Sequence, residues 1–207
     1  MIYRKRIVVM IISLVFISLA FANGVVAQPK YPVCSSPSTL PIKTVGEWVL
    51  GTPMPTPRAE AAVTYLDGKI YVAGGLTLND LGSFTPALEV YDIATDSWEQ
   101  LAPLPTLVHH TQIRAIDGKL YIAGGFNVDF VPIVEGWVYD IATDTWDTIA
   151  PLPEPRGAHQ LLVFDDQLWV VGGGDESADE IDNVDILVYD PPTNTWNAGP
   201  TVISHER

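Results

Sequence analysis

The nonapeptide VYDIATDSW at residues 90–98 returns as VYDIATDTW at 138–146 and as VYDPPTNTW at 188–196, at spacings of 48 and 50 residues. A period near fifty signals an array of supersecondary units, each too small to bury its own apolar surface and each relying on its neighbours for a core. The unit extends upstream of the nonapeptide. Its three copies contain VTYLDGKIYVAGG, IRAIDGKLYIAGG and LLVFDDQLWVVGG, each followed by a loop and then by the stretch that ends in Trp98, Trp146 or Trp196.

Asp67-Gly68 and Asp117-Gly118 each sit between two apolar runs, and an Asp-Gly pair supplies the positive φ angles of a two-residue β-turn. In the third copy Asp166 takes the place of the glycine, so that turn is expected to be strained or rearranged. The second strands, KIYVAGG, KLYIAGG and QLWVVGG, are apolar at consecutive positions, so both of their faces need cover. No segment between strands is long and helix-patterned enough for the crossovers of a parallel sheet. Short antiparallel sheets stacked face to face remain, which is how propeller blades pack. In the repeated phrase Val90 and Tyr91 end a third strand, and Asp92 and Thr95 bond the turn. Trp98 then starts a fourth strand and offers its ring for burial between units. The pairs Gly74-Gly75, Gly124-Gly125 and Gly172-Gly173 mark a repeated packing position beside Tyr71, Tyr121 and Trp169. The prediction is an all-β chain with three four-stranded antiparallel blades, at about residues 58–102, 108–150 and 156–199.

The double glycines, the Tyr-Asp pairs that begin at Tyr91, Tyr139 and Tyr189, and a tryptophan seven residues after each of those tyrosines resemble the kelch repeat. The resemblance covers residues 44–207 and implies a β-propeller like the central domain of the galactose oxidases. Trp48, in TVGEWVLGTPMP, matches the other three tryptophans, so an orphan N-terminal outer strand precedes the first blade. In kelch proteins such a strand commonly completes the last blade. Kelch rings generally hold more than three blades, so the resemblance implies a partial propeller. Its missing blades are expected from a longer chain or from self-association.

Ahead of the repeats, Arg4, Lys5 and Arg6 precede an apolar run from Ile7 to Ala22, the layout of a secretory signal peptide over residues 1–27. An uncleaved membrane anchor is the alternative. Residues 28–43, QPKYPVCSSPSTLPIK, form a Pro/Ser-rich linker. The domain then occupies 44–207, secreted or periplasmic. Removing the signal deletes three basic residues and leaves 8 Lys plus Arg against 25 Asp plus Glu, a net charge of −17. Such a surface repels nucleic acid and anionic lipid. Cys34 is the only cysteine, so an internal disulfide is excluded.

Candidate binding residues lie on the loops between second and third strands, residues 76–87, 126–135 and 174–185. Phe84, Phe130, Asp175 and Glu176 stand out there, against the alternative of solvated variable loops. Arg58 and Arg156 hold matching places ten residues after Trp48 and Trp146. The resemblance puts that position near the rim of the central channel, where an arginine either packs or binds an anion. His159 matches a frequent kelch histidine that bonds backbone or touches ligand. His109-His110 stands as a pair without further clustered ligands, so no metal and no cofactor are expected.

The leading functional reading is a binding module for a protein or a carbohydrate. A sugar-modifying enzyme resembling the kelch-fold sialic acid epimerases is the alternative, as is an adhesive segment of a larger surface protein. Copper-radical chemistry of the galactose oxidase kind needs a Tyr–Cys crosslink, which Cys34 in the linker does not offer.

Overall fold

The computed structural model describes residues 49–77, 83–174 and 185–200. The signal-like segment, the linker with Cys34, Trp48, Asp175 and Glu176 lie outside them. Of the expected orphan outer strand, Trp48 is therefore not described, and residues 49–57 form no strand. Among the described residues no helix is long and apolar enough to cross a membrane.

The chain runs through β1 (Arg58–Ala59), β2 (Ala62–Leu66), β3 (Lys69–Ala73), β4 (Leu76–Thr77), β5 (Leu88–Asp92) and β6 (Ser97–Leu101). It continues with β7 (Ile113–Ile116), β8 (Lys119–Ala123), β9 (Gly136–Asp140) and β10 (Thr145–Ile149), then β11 (Gln160–Phe164), β12 (Gln167–Val171), β13 (Leu187–Asp190) and β14 (Thr195–Ala198). Three four-stranded sheets result, with spatial orders β2-β3-β5-β6, β7-β8-β9-β10 and β11-β12-β13-β14, and every pairing is antiparallel. The repeat unit is thus an up-and-down blade. β1 and β4 form a separate two-stranded pairing that the sequence did not suggest. β7 lies beside both β2 and β11, so the first strands of the three blades line the same side of the array.

All three first hairpins keep the same turn. Asp67 and Gly68 have φ of 48° and 79°, and Asp165 and Asp166 have 53° and 56°. The third blade therefore retains the geometry with a second aspartate where glycine is cheaper, and no rearrangement occurs.

The repeated nonapeptide fastens each blade to the chain that enters it. Tyr91 faces Trp98 across the β5–β6 pair, Tyr139 faces Trp146, and Tyr189 faces Trp196. Ring centroids are 5.1 Å apart in every case. The indole N–H of Trp98 donates to the carbonyl of Thr52 at 2.9 Å, that of Trp146 to Ala102 at 2.9 Å, and that of Trp196 to Ala150 at 2.8 Å. A second contact meets the same residues from the turn. Asp96 accepts the N–H of Thr52 at 2.7 Å, Asp144 that of Ala102 at 2.8 Å, and Asn194 that of Ala150 at 2.7 Å. Each of these turn residues also accepts the hydroxyl proton of its blade's tyrosine. The tryptophans are half-buried, so they hold the array through the indole N–H and the stacked tyrosine as well as through buried apolar area. Asp92 does bond the turn as expected, accepting from Ala94 at 2.9 Å and Thr95 at 3.2 Å.

The apolar core lies between successive sheets. Ala62, Leu88 and Val90 of the first blade pack with Val108, Ile113, Leu120 and Tyr139 of the second. Ile116, Tyr121 and Ile149 of the second pack with Leu161, Leu168 and Tyr189 of the third. The middle blade is covered on both faces, and its first strand β7 exposes no large apolar side chain. β2 of the first blade exposes Val63 and Tyr65, and β11 of the third exposes Leu162, Val163 and Phe164.

The double glycines form the inter-blade joint. The N–H of Gly75 donates to the carbonyl of Val108 at 3.0 Å, and that of Gly125 to Arg156 at 2.7 Å, so each pair grips the start of the next blade. A Cβ on Gly124 would stand 2.5 Å from the Arg156 carbonyl oxygen, whereas one on Gly172, in the third blade, would meet nothing within 4 Å. Both have positive φ, 65° and 67°. Gly172→Ala should therefore cost only left-handed strain, about 1–2 kcal/mol. Gly124→Ala adds a clash with backbone and should cost more than about 3 kcal/mol. Denaturant unfolding of the two variants measures the difference, and equal losses would contradict the joint.

Candidate functional site

A short arm precedes the innermost strand of each blade: residues 58–61, 108–111 and 156–159. The third residue of each arm is left-handed, with φ of 55° at Glu60, 49° at His110 and 53° at Ala158. The amide of His110 donates to the Glu60 carbonyl at 3.4 Å, and that of Ala158 to the His110 carbonyl at 3.0 Å. Left-handed backbone costs a non-glycine residue roughly 1–2 kcal/mol, and these bonds offset part of that. The arms are thus linked in series beside the first strands. The second residue of each arm pairs with the residue after the double glycine: Ala59 with Leu76, His109 with Phe126, and Gly157 with Gly174.

In extended backbone, neighbouring side chains point to opposite faces. The left-handed turn at His110 removes that separation and folds its ring onto His109. The two Nδ1 atoms come within 2.5 Å, and the ring centroids lie 4.8 Å apart. A Glu60 carboxylate oxygen, from the first blade, stands 3.1 Å from Nδ1 of His110 and 3.8 Å from Nδ1 of His109. The expectation that His109-His110 has no further clustered ligands is therefore corrected, because the left-handed turns bring Glu60 to the pair from fifty residues upstream.

Three phenylalanines wall this cluster. Phe84, from the first blade's loop, lies 4.9 Å from the His109 ring, and Phe130, from the second blade's loop, lies 4.5 Å from it. Phe126 is 5.9 Å away, and Phe84 meets Phe130 edge-on at 6.2 Å. Phe130 is aimed by Asn127, whose side-chain oxygen accepts the amides of Asp129 and Val131 at 2.9 and 3.0 Å, while its carbonyl accepts the Phe130 amide at 3.0 Å. Phe130 itself takes a φ of 59°, strain that the loop's hydrogen bonds hold in place. A cleft of about 360 Å³ lined by Asn127, Ile133, Glu135 and Trp137 opens beside this loop. Two residues singled out in sequence, Phe84 and Phe130, thus converge from different blades. The acidic loop with Asp175 and Glu176 lies outside the described residues.

Arg58 and Arg156 are buried with their side chains fully covered. Arg58 donates to the carbonyls of Ala87 at 2.8 Å and Val72 at 3.1 Å and pairs with Glu89 at 2.7 Å. Glu89 also accepts from Thr56 at 2.7 Å. Arg156 donates to the carbonyls of Gly172 and Asp185, both at 3.0 Å, and pairs with Glu154. The geometry favours the packing alternative for both, since their NH1 and NH2 groups are engaged by the chain's own oxygens. The middle blade has an apolar pair at the corresponding places, Val108 and Trp137, both buried. A buried ion pair and an apolar pair are often close in net stability, which fits their exchange between blades. Arg114 on β7, which sequence reading passed over, is partly exposed; it donates to Ile113 at 2.7 Å and to Gln112 at 3.2 Å.

His159 is buried, and neither ring nitrogen has a well-formed hydrogen-bond partner. Burial pushes its pKa down to about 4, the Arg156 charge adds to the depression, and the backbones of Arg156 and Ala123 offset part of it. The depressed value means that the unfolded chain takes up a proton near pH 6.5 that the folded chain resists down to about 4. Stability contributed by neutral His159 is therefore complete above pH 6.5 and is lost as pH falls toward 4, by roughly 3 kcal/mol at most. Thr111 occupies the equivalent place in the second blade. His159→Thr should flatten the fall in melting temperature between pH 7 and pH 4.5 relative to the parent, and parallel curves would show that His159 does not titrate as described.

Residues 51–205 match the family described as the KLHDC2/KLHL20/DRC7 Kelch-repeats domain. An F-box/kelch-repeat protein of Arabidopsis thaliana is 44% identical over 55 residues, 27% of this chain and 14% of that protein. N-acetylneuraminate epimerase 1 of Escherichia coli O6:H1 is 45% identical over 58 residues, 27% of this chain and 16% of that protein. Human Kelch-like protein 22 is 39% identical over 57 residues, 28% of this chain and 9% of its own length. The matches therefore span only a small part of each of these relatives. The solved structure of YjhT superposes with a TM-score of 0.61 at 20% identity, over 74% of this chain and 54% of that one. With the blade order, the glycine joints and the Tyr–Trp clamps, these matches make the chain a member of the kelch-repeat family, folded as a partial β-propeller.

Proposed function

We propose that this kelch-repeat domain is an extracytoplasmic binding module that presents the face formed by its second-to-third-strand loops to a protein or a carbohydrate. The observation that carries the reading is the meeting of Phe84 and Phe130 over His109, since two blades contribute aromatic rings to one patch that neither could build alone. Phe130 is 36% exposed, which leaves ring surface for a ligand. Aromatic side chains on loops held by a rigid scaffold are favoured contacts for sugar faces and polypeptide alike. The basic segment and apolar run at the N-terminus support export. Placement of the module within a longer chain, or its assembly from several chains, accounts for the apolar side chains that β2 and β11 leave exposed.

The test is a screen of the full chain against glycan and peptide arrays, followed by affinity measurement on any hit. Phe84→Ala and Phe130→Ala should each weaken binding about tenfold or more while the circular dichroism stays unchanged. Full affinity in both variants would remove the loop face from the reading.

A sugar-modifying activity is a second reading, supported by the match to N-acetylneuraminate epimerase 1. With Arg58 and Arg156 buried, Arg114 is the better placed cation for a carboxylated sugar. Mutarotation of N-acetylneuraminate by the parent chain, reduced at least tenfold in Arg114→Ala, is the expected result under this reading. No turnover by the parent closes it.

A further inference from the structure

We propose that Glu60, His109 and His110 form a binding site for one divalent transition-metal ion of the zinc kind, with a coordination position left open toward the loop face. This goes beyond the binding reading and stands apart from it, because the ion alone is the ligand tested.

The donor set suits such an ion, since imidazole and carboxylate are both common zinc ligands. Nε2 of His109 lies 2.9 Å from the Asn127 carbonyl oxygen. A carbonyl only accepts, so Nε2 carries the hydrogen and Nδ1 holds a lone pair when the ring is neutral. Metal-ligating histidines are usually fixed in this manner, with the far N–H given to a backbone carbonyl or carboxylate. That lone pair faces Nδ1 of His110 at 2.5 Å and the Glu60 carboxylate at 3.8 Å. A cation among these three atoms can receive a lone pair from each.

The spacing fits. The three donor atoms form a triangle with edges of 2.5, 3.1 and 3.8 Å. Bonds of about 2.0–2.1 Å in a tetrahedron require edges of about 3.3 Å, close to the middle of that range. The shortest edge has to open by about 0.8 Å, and of the two imidazoles that form it His110 is the partly exposed one. The His109 side chain is fully buried among Phe84, Phe126 and Phe130, which lowers the local dielectric. Glu60 and His110 have side chains 40% and 31% exposed and so leave a path for the ion. Ala158, the matching residue of the third blade, brings no donor, so among the described residues three protein ligands result and one position is left open. The net charge of −14 draws cations to the surface as a whole.

The experiment is titration of the chelator-treated full chain with Zn²⁺ by calorimetry and with Co²⁺ by visible absorption. One ion per chain is expected, with the Co²⁺ bands of a low-coordinate site and without the thiolate charge-transfer band that Cys34 would give. His110→Asn keeps a residue that tolerates left-handed backbone, and Glu60→Gln alters a partly exposed side chain, so both variants should fold. Each should weaken binding at least tenfold with an unchanged metal-free melting temperature, which separates lost ligation from lost structure. Absence of saturable binding at about 100 µM Zn²⁺ overturns the proposal. A thiolate band, or parent affinity in both variants, overturns it as well, because the ion then lies elsewhere.

Discussion

The array depends on one clamp made three times. In each blade a tryptophan N–H and a turn residue's side-chain oxygen seize the carbonyl and amide of a single residue four positions beyond the preceding tryptophan. Both polar groups of that residue are satisfied by side chains of the blade it enters, so the position of the entering segment is set by hydrogen bonds as well as by the core. The tyrosine hydroxyl completes the arrangement by holding the turn oxygen in place. In the first two blades these hydrogen bonds also keep the turn carboxyls below the ordinary carboxylate range: for Asp96 chiefly the Thr52 amide, for Asp144 chiefly the Tyr139 hydroxyl. In the third, Asn194 does the same work without a charge. The clamp sits at the outer edge of the sheets, and the glycine joints couple each blade to the start of the next, so adjacent blades are tied at two places.

Much of the fold was legible in the sequence because the forces that shape it recur at fixed spacing. The Asp-Gly turns, the consecutive apolar residues of the second strands and the repeated Tyr-Asp and Trp each report a local requirement, and repetition removed ambiguity from each. The role of Asp96, Asp144 and Asn194 was less legible. Their partners Thr52, Ala102 and Ala150 open the repeated stretches TPMP, APLP and APLP, but the clamp grips their backbone, so residue identity there does not name the bond. The β1–β4 pairing was hidden for the same reason: two residues on each side carry no periodicity.

The site was half legible. Phe84 and Phe130 stood out as aromatics in variable loops, and the structure brings them together over His109. Arg58 and Arg156 stood out through their matching positions, and their burial shows that a matched charge can serve packing as well as binding. Glu60 was missed, although the signal existed. It lies twelve residues after Trp48, as His110 lies twelve after Trp98 and Ala158 twelve after Trp146. Glutamate, histidine and alanine at these matching positions share no residue type, so the histidines read as a local pair. Only the left-handed backbone at that register, which no single repeat announces, joins them across blades.

The serial linkage of the left-handed residues separates what the blade needs from what that position presents. The amide and carbonyl there carry the inter-arm bonds, and the side chain is released from structural duty, as glutamate, histidine and alanine in turn attest. A lineage that adds, removes or reorders such modules can therefore recompose the chemistry at the array's mouth one substitution at a time. Donor number and charge change, while clamps and joints are inherited intact.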